Sequence, residues 1–576
     1  MMRRMLQHSF PALCLVLSLS LCSFASATTP KKISFLLTND LHGSLEPLVR
    51  LSTIARSIRS EADQQSGEAA LFILDSGDQF QGTLTSNYDE GDSLFRAMNE
   101  IGYDAAVPGN HDYDFGPIGW LYDKVSPGNT GDNPREVIER LSGVARFPLL
   151  SANTYLKSSI RADHRTIPLD SQCRPSNQTP AAPLDFIHAD RPDFLKPYVI
   201  VEKAGIRVAM IGLDHPATAS MTTPENVSDL CFRDVLESYL EVRASLEGKA
   251  DVFVLMIHQG NAKNSREASE LAEAIHSRRA DGVHLVAAGH THFVHDDLAG
   301  GVHVVQDGAN GKAYGRVDLY FDPDTRSVIQ DESRATAGIS ITDQTMPDPA
   351  VDAIVSAARA KVAPLADRKL GKLSAPTQGN RISESALGNI LSDALREALG
   401  TELALLNTGG IRAPLPAGDI RYEDLFRVLP FQNQAVIVGK MPWSILKSAL
   451  ETAIQTCGRY GTLALSGLKI SYARNCGTGP QARDLDPDAR LIRVETRSGR
   501  VLYDRAGSIE VAAGETFSLA TLDFLAAGGS GYKMLSGVEV DSTPGIHREL
   551  IVEALIKNPS LLETGLDGRF RNTSGQ

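Results

Sequence analysis

Gly109-Asn110-His111-Asp112-Tyr113-Asp114 is the stretch from which the rest of the chain can be read. Ahead of it, Ile101 to Pro108 is a half-apolar segment that reads as a strand ending in a turn. Gly109, without a Cβ, lets the backbone bend tightly. An amide oxygen, an imidazole and two carboxylates then follow within a few residues. Loops after strand ends are where α/β folds place their chemistry. Alone, Gly-Asn-His decides little; four other segments make it part of a constellation.

Towards the N-terminus, Ile33 to Leu37 is a short apolar run, read as a buried strand, and Thr38-Asn39-Asp40-Leu41-His42-Gly43 follows it. Asp40 and His42 are two apart, so an extended segment turns them to one side. A helix is expected over Leu51 to Arg59, then a second buried strand, Leu71 to Leu74, running into Asp75-Ser76-Gly77-Asp78. Towards the C-terminus, the strand Val252 to Ile257 ends at His258, and Val283 to Ala287 runs into Gly289-His290-Thr291-His292. A lone Asp after a strand caps a turn, and a lone His is usually structural. A strand followed by ligand-type residues, five times in one frame, is a different matter. The donors are carboxylate, imidazole and amide oxygen with no thiolate, a set suited to Mn²⁺, Fe, Zn²⁺, Mg²⁺ or Co²⁺. They are more than one ion needs. Two ions about 3.5–4 Å apart sharing a carboxylate are the usual solution for phosphoryl hydrolysis.

These motifs resemble the metallophosphoesterase motifs of the 5′-nucleotidase family, which includes ecto-5′-nucleotidase, periplasmic UDP-sugar hydrolases and 2′,3′-cyclic-nucleotide phosphodiesterase/3′-nucleotidases. The resemblance runs from Ile33 nearly to the end of the chain. It implies an α/β fold: a four-layer α-β-β-α metallophosphoesterase domain joined by a helix to a smaller α/β substrate-binding domain. It also implies that Asp40, His42, Asp78 and His292 hold one divalent metal, and that Asp78, Asn110, His258 and His290 hold the other. His111 then stabilises the transition state or protonates the leaving group, oriented by Asp114. The implied reaction is release of phosphate from a nucleoside 5′-monophosphate by a metal-activated water. Alternatives within the resemblance are cyclic phosphodiesterase/3′-nucleotidase and UDP-sugar hydrolase. A thiosulfohydrolase on the same two-domain fold, or a non-catalytic exported binding protein, are more distant ones.

Composition sets the frame. The chain has 576 residues, 42% hydrophobic and 22% charged, so two large domains are expected. The divisions read as a signal peptide over 1–27, a metallophosphoesterase domain over 28–345, a linker helix over 346–368 and a substrate-binding domain over 369–576. In the first segment Arg3 and Arg4 precede an apolar run from Ala12 to Cys22, and Ala25-Ser26-Ala27 is a small-residue cleavage site. The run is short for a membrane span. Bulky Leu21 before Cys22 disfavours a lipoprotein. The two arginines are the only charges in that segment, so its removal takes the net charge from −13 to −15. An acidic chain is a poor wrapper of nucleic-acid polymers. The expectation is a periplasmic or secreted protein without stable membrane insertion, acting on a small nucleotide; the oligomeric state is not legible. Cys173, Cys231, Cys457 and Cys476 remain after cleavage, an even number in an exported chain. Of three pairings, Cys173–Cys231 and Cys457–Cys476 are favoured because each stays within one domain.

Val199 to Gly212 and Gly301 to Asp322 read as hairpin-like segments, and Lys157 to Lys196, rich in Pro, Asp, Arg and Ser, as a surface insertion stapled by Cys173. Sequons stand at Asn177, Asn226 and Asn572. Pro347 to Ala363 has helical spacing (Val351, Ile354, Val355, Ala358, Val362); the resemblance makes it a hinge between domains. In the second half an amphipathic helix spans Glu384 to Leu395. A strand, Leu403 to Leu406, leads into Asn407-Thr408-Gly409-Gly410-Ile411-Arg412, and a second Gly-rich loop is Phe524 to Tyr532. Two such loops and an arginine suit an anionic group and a flat ring. The resemblance implies that Arg381, Asn407, Arg412 and Phe524 bind the nucleoside and phosphate. Its first stacking aromatic falls at Thr462, with Tyr460 as a nearby stand-in, and its ribose-holding Asp falls at Ser530.

Overall fold

The computed structural model describes residues 29–66, 70–118, 133–176, 183–262, 265–279, 282–457, 461–477 and 485–574. The 1–27 segment, Asn177 and Tyr460 lie outside them.

Two sheets stack face to face in the first half. One carries the parallel strands Lys31–Thr38, Leu71–Asp75, Ala105–Ala106 and Leu149–Leu150, with Ala313–Asp322 antiparallel beside the first. The other carries Ile206–Leu213, Val252–Ile257, Leu285–Ala288 and Val302–Asp307 in parallel, flanked by antiparallel edges. The two-residue alternation of a strand decides which side chain goes where. Ile33, Phe35 and Leu37 join Phe72, Leu74, Val208, Met210, Val254 and Met256 in the core between the sheets. Leu36 and Ile73 point the other way, into the helices Leu48–Ser66, Asp92–Ile101 and Glu136–Val144. On the far side, Ala209, Ile211, Phe253 and Leu255 pack under Val235–Ser245 and Glu267–Arg278. The result is four layers, helix–sheet–sheet–helix, with strands buried on both faces as parallel sheets require.

Two expectations need correction, and one sequon is settled by burial. Ile101 to Pro108 is mostly not a strand. Ile101 closes the helix Asp92–Ile101, Gly102 caps it at φ +87°, and only Ala105–Ala106 is extended. Gly301 to Asp322 is not a hairpin: Val302–Asp307 lies in one sheet and Ala313–Asp322 in the other, so the chain crosses the sandwich there. The sequon asparagine Asn226 is buried, and its amide donates to the Tyr113 and Asp114 carbonyls at 2.9 and 3.1 Å, which closes it to glycosylation.

The helix Pro349–Ala366 is capped by Asp348, whose carboxylate accepts from the Ala350 N–H at 2.8 Å. Its first half (Val351, Val355, Ala358) belongs to the first core, and Val362 and Ala366 belong to the second. Beyond it, a five-stranded sheet (Leu463–Ser466, Leu403–Asn407, Thr516–Leu522, Gln434–Pro442, Ser542–Ile546) packs with the helix Ala386–Leu399. A second five-stranded sheet and the helix Trp443–Gln455 complete that half. Both favoured disulfides are formed, Cys173–Cys231 and Cys457–Cys476. The first ties the 157–196 segment to the strand Leu230–Phe232. Among the described residues no helix is long and apolar enough to cross a membrane.

Candidate active site

The parallel strands of both sheets end on the same side, and the polar residues after them converge. Two groups of three metal-type donors form: Asp40, His42 and His292, and Asp78, His258 and His290. In each, the donor atoms lie within 4.8 Å of one another. Asp78 faces both groups, its Oδ2 lying 3.7 Å from His42 Nε2 and 3.2 Å from His258 Nε2. Asp40, His42, Asp78, His290 and His292 all have positive φ, between 46° and 77°. Non-glycine residues seldom stay in that region unless the surroundings impose it, and such strain gathers at functional sites.

The surroundings that impose it are hydrogen bonds. His42 Nδ1 meets the Gln81 carbonyl at 3.0 Å, and His258 Nδ1 meets that of Ser76 at 2.7 Å, which leaves Nε2 of each as the donor to an ion. Asp40 Oδ2 accepts from Asn39 Nδ2 and the His290 N–H at 2.6 and 2.8 Å. Asn110 gives its Nδ2 to the Met221 carbonyl at 3.1 Å. The atoms left over, Asp40 Oδ1, Asn110 Oδ1 and His258 Nε2, are buried with no hydrogen-bond partner. A buried polar atom without a partner is costly. His42 and His292 moreover point Nε2 at Nε2 across 3.0 Å. Cations between these atoms remove both difficulties, and the N/O donor set matches borderline divalent ions. The electrostatics agree. Burial pushes the Asp78 carboxyl up, but the charges of His258, His111 and His42 outweigh it and hold it well below the usual carboxylate range. His258 is driven up to about 10 by Asp78 against its own burial.

Gly109 and Asp112 set the geometry from below. A Cβ on Gly109 would stand 2.1 Å from Asp78 Oδ1, so only glycine allows this approach. The buried Asp112 carboxylate accepts from the N–H groups of Gly109, Asp78 and Gln79 at 2.7, 2.9 and 2.9 Å, stitching the second and third ligand loops together. Sequence reading gave Asp112 no role, although its place inside the ligand stretch was a signal. His111 stands beside this frame. Its N–H donates to Asp78 Oδ1 at 2.8 Å, and its Nδ1 pairs with Asp114 Oδ2 at 2.7 Å.

The second half of the chain faces the same place. Burial lowers the pKa of Arg412, opposed by the charges of Asp78, Asp40 and Asp114, which lie within its field. Its guanidinium lies 5.7 Å from the Phe431 ring centroid, and that ring is 5.0 Å from His111. Pro430, the residue before, accepts at its carbonyl from Gln81 Nε2 and Asn87 Nδ2 of the first half, both at 3.2 Å. Arg381 is exposed and within electrostatic reach of Arg412. Among the described residues neither arginine has a carboxylate in ion-pair contact. Asn407 ends its strand with Oδ1 buried and unpartnered. Phe524 is half-buried against Gly529, and its segment is tied to the Phe431 loop where Asp523 Oδ2 accepts from the Gln434 N–H at 2.9 Å.

Thr462 is no stacking position. It is fully buried, donates to the Ala453 carbonyl at 2.9 Å, and through its own N–H props the Arg381 carbonyl. Phe431, beside His111 and Arg412, was not singled out in the sequence reading. Its signal was an aromatic after proline in the polar link following the helix Tyr422–Val428.

Residues 33–294 match the calcineurin-like phosphoesterase family, and residues 358–537 match the 5′-nucleotidase C-terminal domain. Snake venom 5′-nucleotidase of Crotalus adamanteus is 26% identical over 98% of this chain and 93% of its own length. The trifunctional nucleotide phosphoesterase protein YfkN of Bacillus subtilis is 25% identical over 93% of this chain, which spans 34% of YfkN. Among solved structures, that of a 5′-nucleotidase precursor from Thermus thermophilus superposes with a TM-score of 0.70 at 23% identity, covering 95% of this chain and all of that one.

Proposed function

We propose that this chain, which belongs to the family joining a calcineurin-like phosphoesterase domain to a 5′-nucleotidase C-terminal domain, releases phosphate from nucleoside 5′-monophosphates. It is a metal-dependent phosphoric ester hydrolase. The observation that carries the nucleotide reading is the placing of Arg412 and Phe431, an anion-binding group and a flat apolar ring, directly over His111 and the ligand loops.

When bound, two divalent cations would lower the pKa of a water for attack on phosphorus and offset charge on the phosphoryl oxygens. Asp40, His42 and His292 would hold one and Asn110, His258 and His290 the other, with Asp78 serving both. The remaining work falls to side chains. Arg412 and Arg381 draw the phosphate into an otherwise acidic cleft. Phe431 and Phe524, on loops joined through Asp523 and Gln434, take the base between them. His111, with Nδ1 held by Asp114, presents its other nitrogen to the leaving oxygen and gives it a proton. The expected setting is export from the cytoplasm, supported by the two disulfides.

Hydrolysis of 5′-AMP, 3′-AMP, 2′,3′-cyclic AMP and a UDP-sugar, with nucleoside, nucleotide and phosphate products separated, with Mn²⁺ and with a chelator, tests the reading. Chelator-sensitive hydrolysis, fastest for 5′-AMP, is expected. Hydrolysis of the cyclic or 3′-esters alone would transfer the assignment to cyclic phosphodiesterase/3′-nucleotidase. Hydrolysis of none of them would remove the nucleotide reading and leave the carrier-bound sulfur ester of a thiosulfohydrolase as the class to assay.

A further inference from the structure

A carboxylate that steers an imidazole must itself be held, because the terminal torsion of an aspartate is soft. Asp114 spends Oδ2 on His111 Nδ1. Its Oδ1 accepts from the hydroxyl of Thr222 at 2.8 Å. Thr222 is 2% exposed and comes from a remote part of the chain, the link after the strand Ile206–Leu213. The same link grips its surroundings. The Met221 carbonyl receives Asn110 Nδ2, Thr223 Oγ1 reaches the Asp114 carbonyl at 3.4 Å, and Asn226 holds the carbonyls of Tyr113 and Asp114. It is anchored by Arg135, which donates to the Asn226 carbonyl at 2.8 Å and pairs with Asp229. On its other side Thr218–Ser220 lies against Gly529–Gly531 of the second domain.

We propose that Thr222 is a positioning residue for the His111–Asp114 pair. Its hydroxyl fixes the rotation of the Asp114 carboxylate and so the plane in which the imidazole meets the leaving oxygen. This rests on the reading of His111 as the leaving-group acid. The hydroxyl donates to a carboxylate oxygen from a buried position, and that contact is directional. Its chemistry is orientation alone, and no proton need pass through it. Partners that orient a functional side chain in this way commonly matter at the level of about 10- to 100-fold.

The test compares Thr222→Val, which keeps the shape and loses the hydroxyl, with Thr222→Ser, which keeps the hydroxyl, in the full metal-loaded chain. Substrates are 5′-AMP, whose alkoxide needs a proton, and p-nitrophenyl phosphate, whose phenolate leaves without one. Thr222→Val is expected to lose about 10- to 100-fold in kcat on 5′-AMP with KM nearly unchanged, and much less on the aryl ester. Metal content stays at the wild-type value, Thr222→Ser restores most of the rate, and adding Thr222→Val to Asp114→Asn costs little more. Wild-type kcat in Thr222→Val, or equal losses on both esters that Thr222→Ser fails to repair, would overturn the proposal while leaving the proposed function standing. Undiminished turnover in His111→Ala would instead remove the leaving-group reading, and Thr222 would fall with it.

Discussion

Asp78→Asn is expected to drop bound divalent metal from two ions per chain to one or fewer and to abolish most turnover. Asp78 Oδ2 lies between His42 Nε2 and His258 Nε2, one from each ligand group, while Oδ1 is fixed by the His111 N–H. The amide keeps the volume but loses the charge, and it cannot accept from two ions and the N–H together. If the lost electrostatic stabilisation is about 4 kcal/mol, the rate falls roughly a thousandfold. Asparagine is the right replacement because the position has φ +56°, a conformation that asparagine tolerates. The fold should therefore survive, and an unchanged melting curve is the control. Two ions retained by the variant, measured by elemental analysis after dialysis, would end the assignment of Asp78 to both groups.

His111→Ala is expected to lower kcat on 5′-AMP by about 10²- to 10⁴-fold, the usual range for a positioned acid, with metal content unchanged. His111 is no member of either ligand group, and its hydrogen bond to Asp78 runs through the backbone N–H, which alanine keeps. The side chain is partly exposed, so its removal leaves a site that water can fill. On p-nitrophenyl phosphate the loss should be far smaller, because that leaving group needs no proton. Equal losses on both esters would mean that His111 stabilises charge on phosphorus and does not protonate the leaving oxygen.

That the polar loops after these strands converge was legible in the sequence for a physical reason. Parallel strands buried on both faces are continuous apolar runs, and their ends all reach one side of the sandwich. A polar cluster after each run therefore reports a position in space. Asp40, Asp78, Asn110, His258, His290 and His292 follow from that rule. Boundaries were less legible. The apolar content of Ile101 to Pro108 belongs partly to the end of a helix, and only the αL cap at Gly102 marks the change. The residues that face these loops from elsewhere in the chain were less legible, because they meet only through folding. Phe431 reaches His111 across the two domains, and Thr222 reaches Asp114 from 108 residues away. Thr462, where the resemblance puts a stacking aromatic, lies in the core behind Arg381. Nothing local in the sequence distinguishes such residues from ordinary loop and core positions.

The central claim is that two cations, held in common by Asp78, serve a nucleotide-binding cleft. Titration of the metal-stripped chain with Mn²⁺, following bound metal and phosphate release from 5′-AMP together, tests it most directly. The account predicts two ions bound per chain, with turnover appearing as the second site fills. Full turnover at one equivalent, or two ions bound without release of phosphate from any nucleotide, would contradict it.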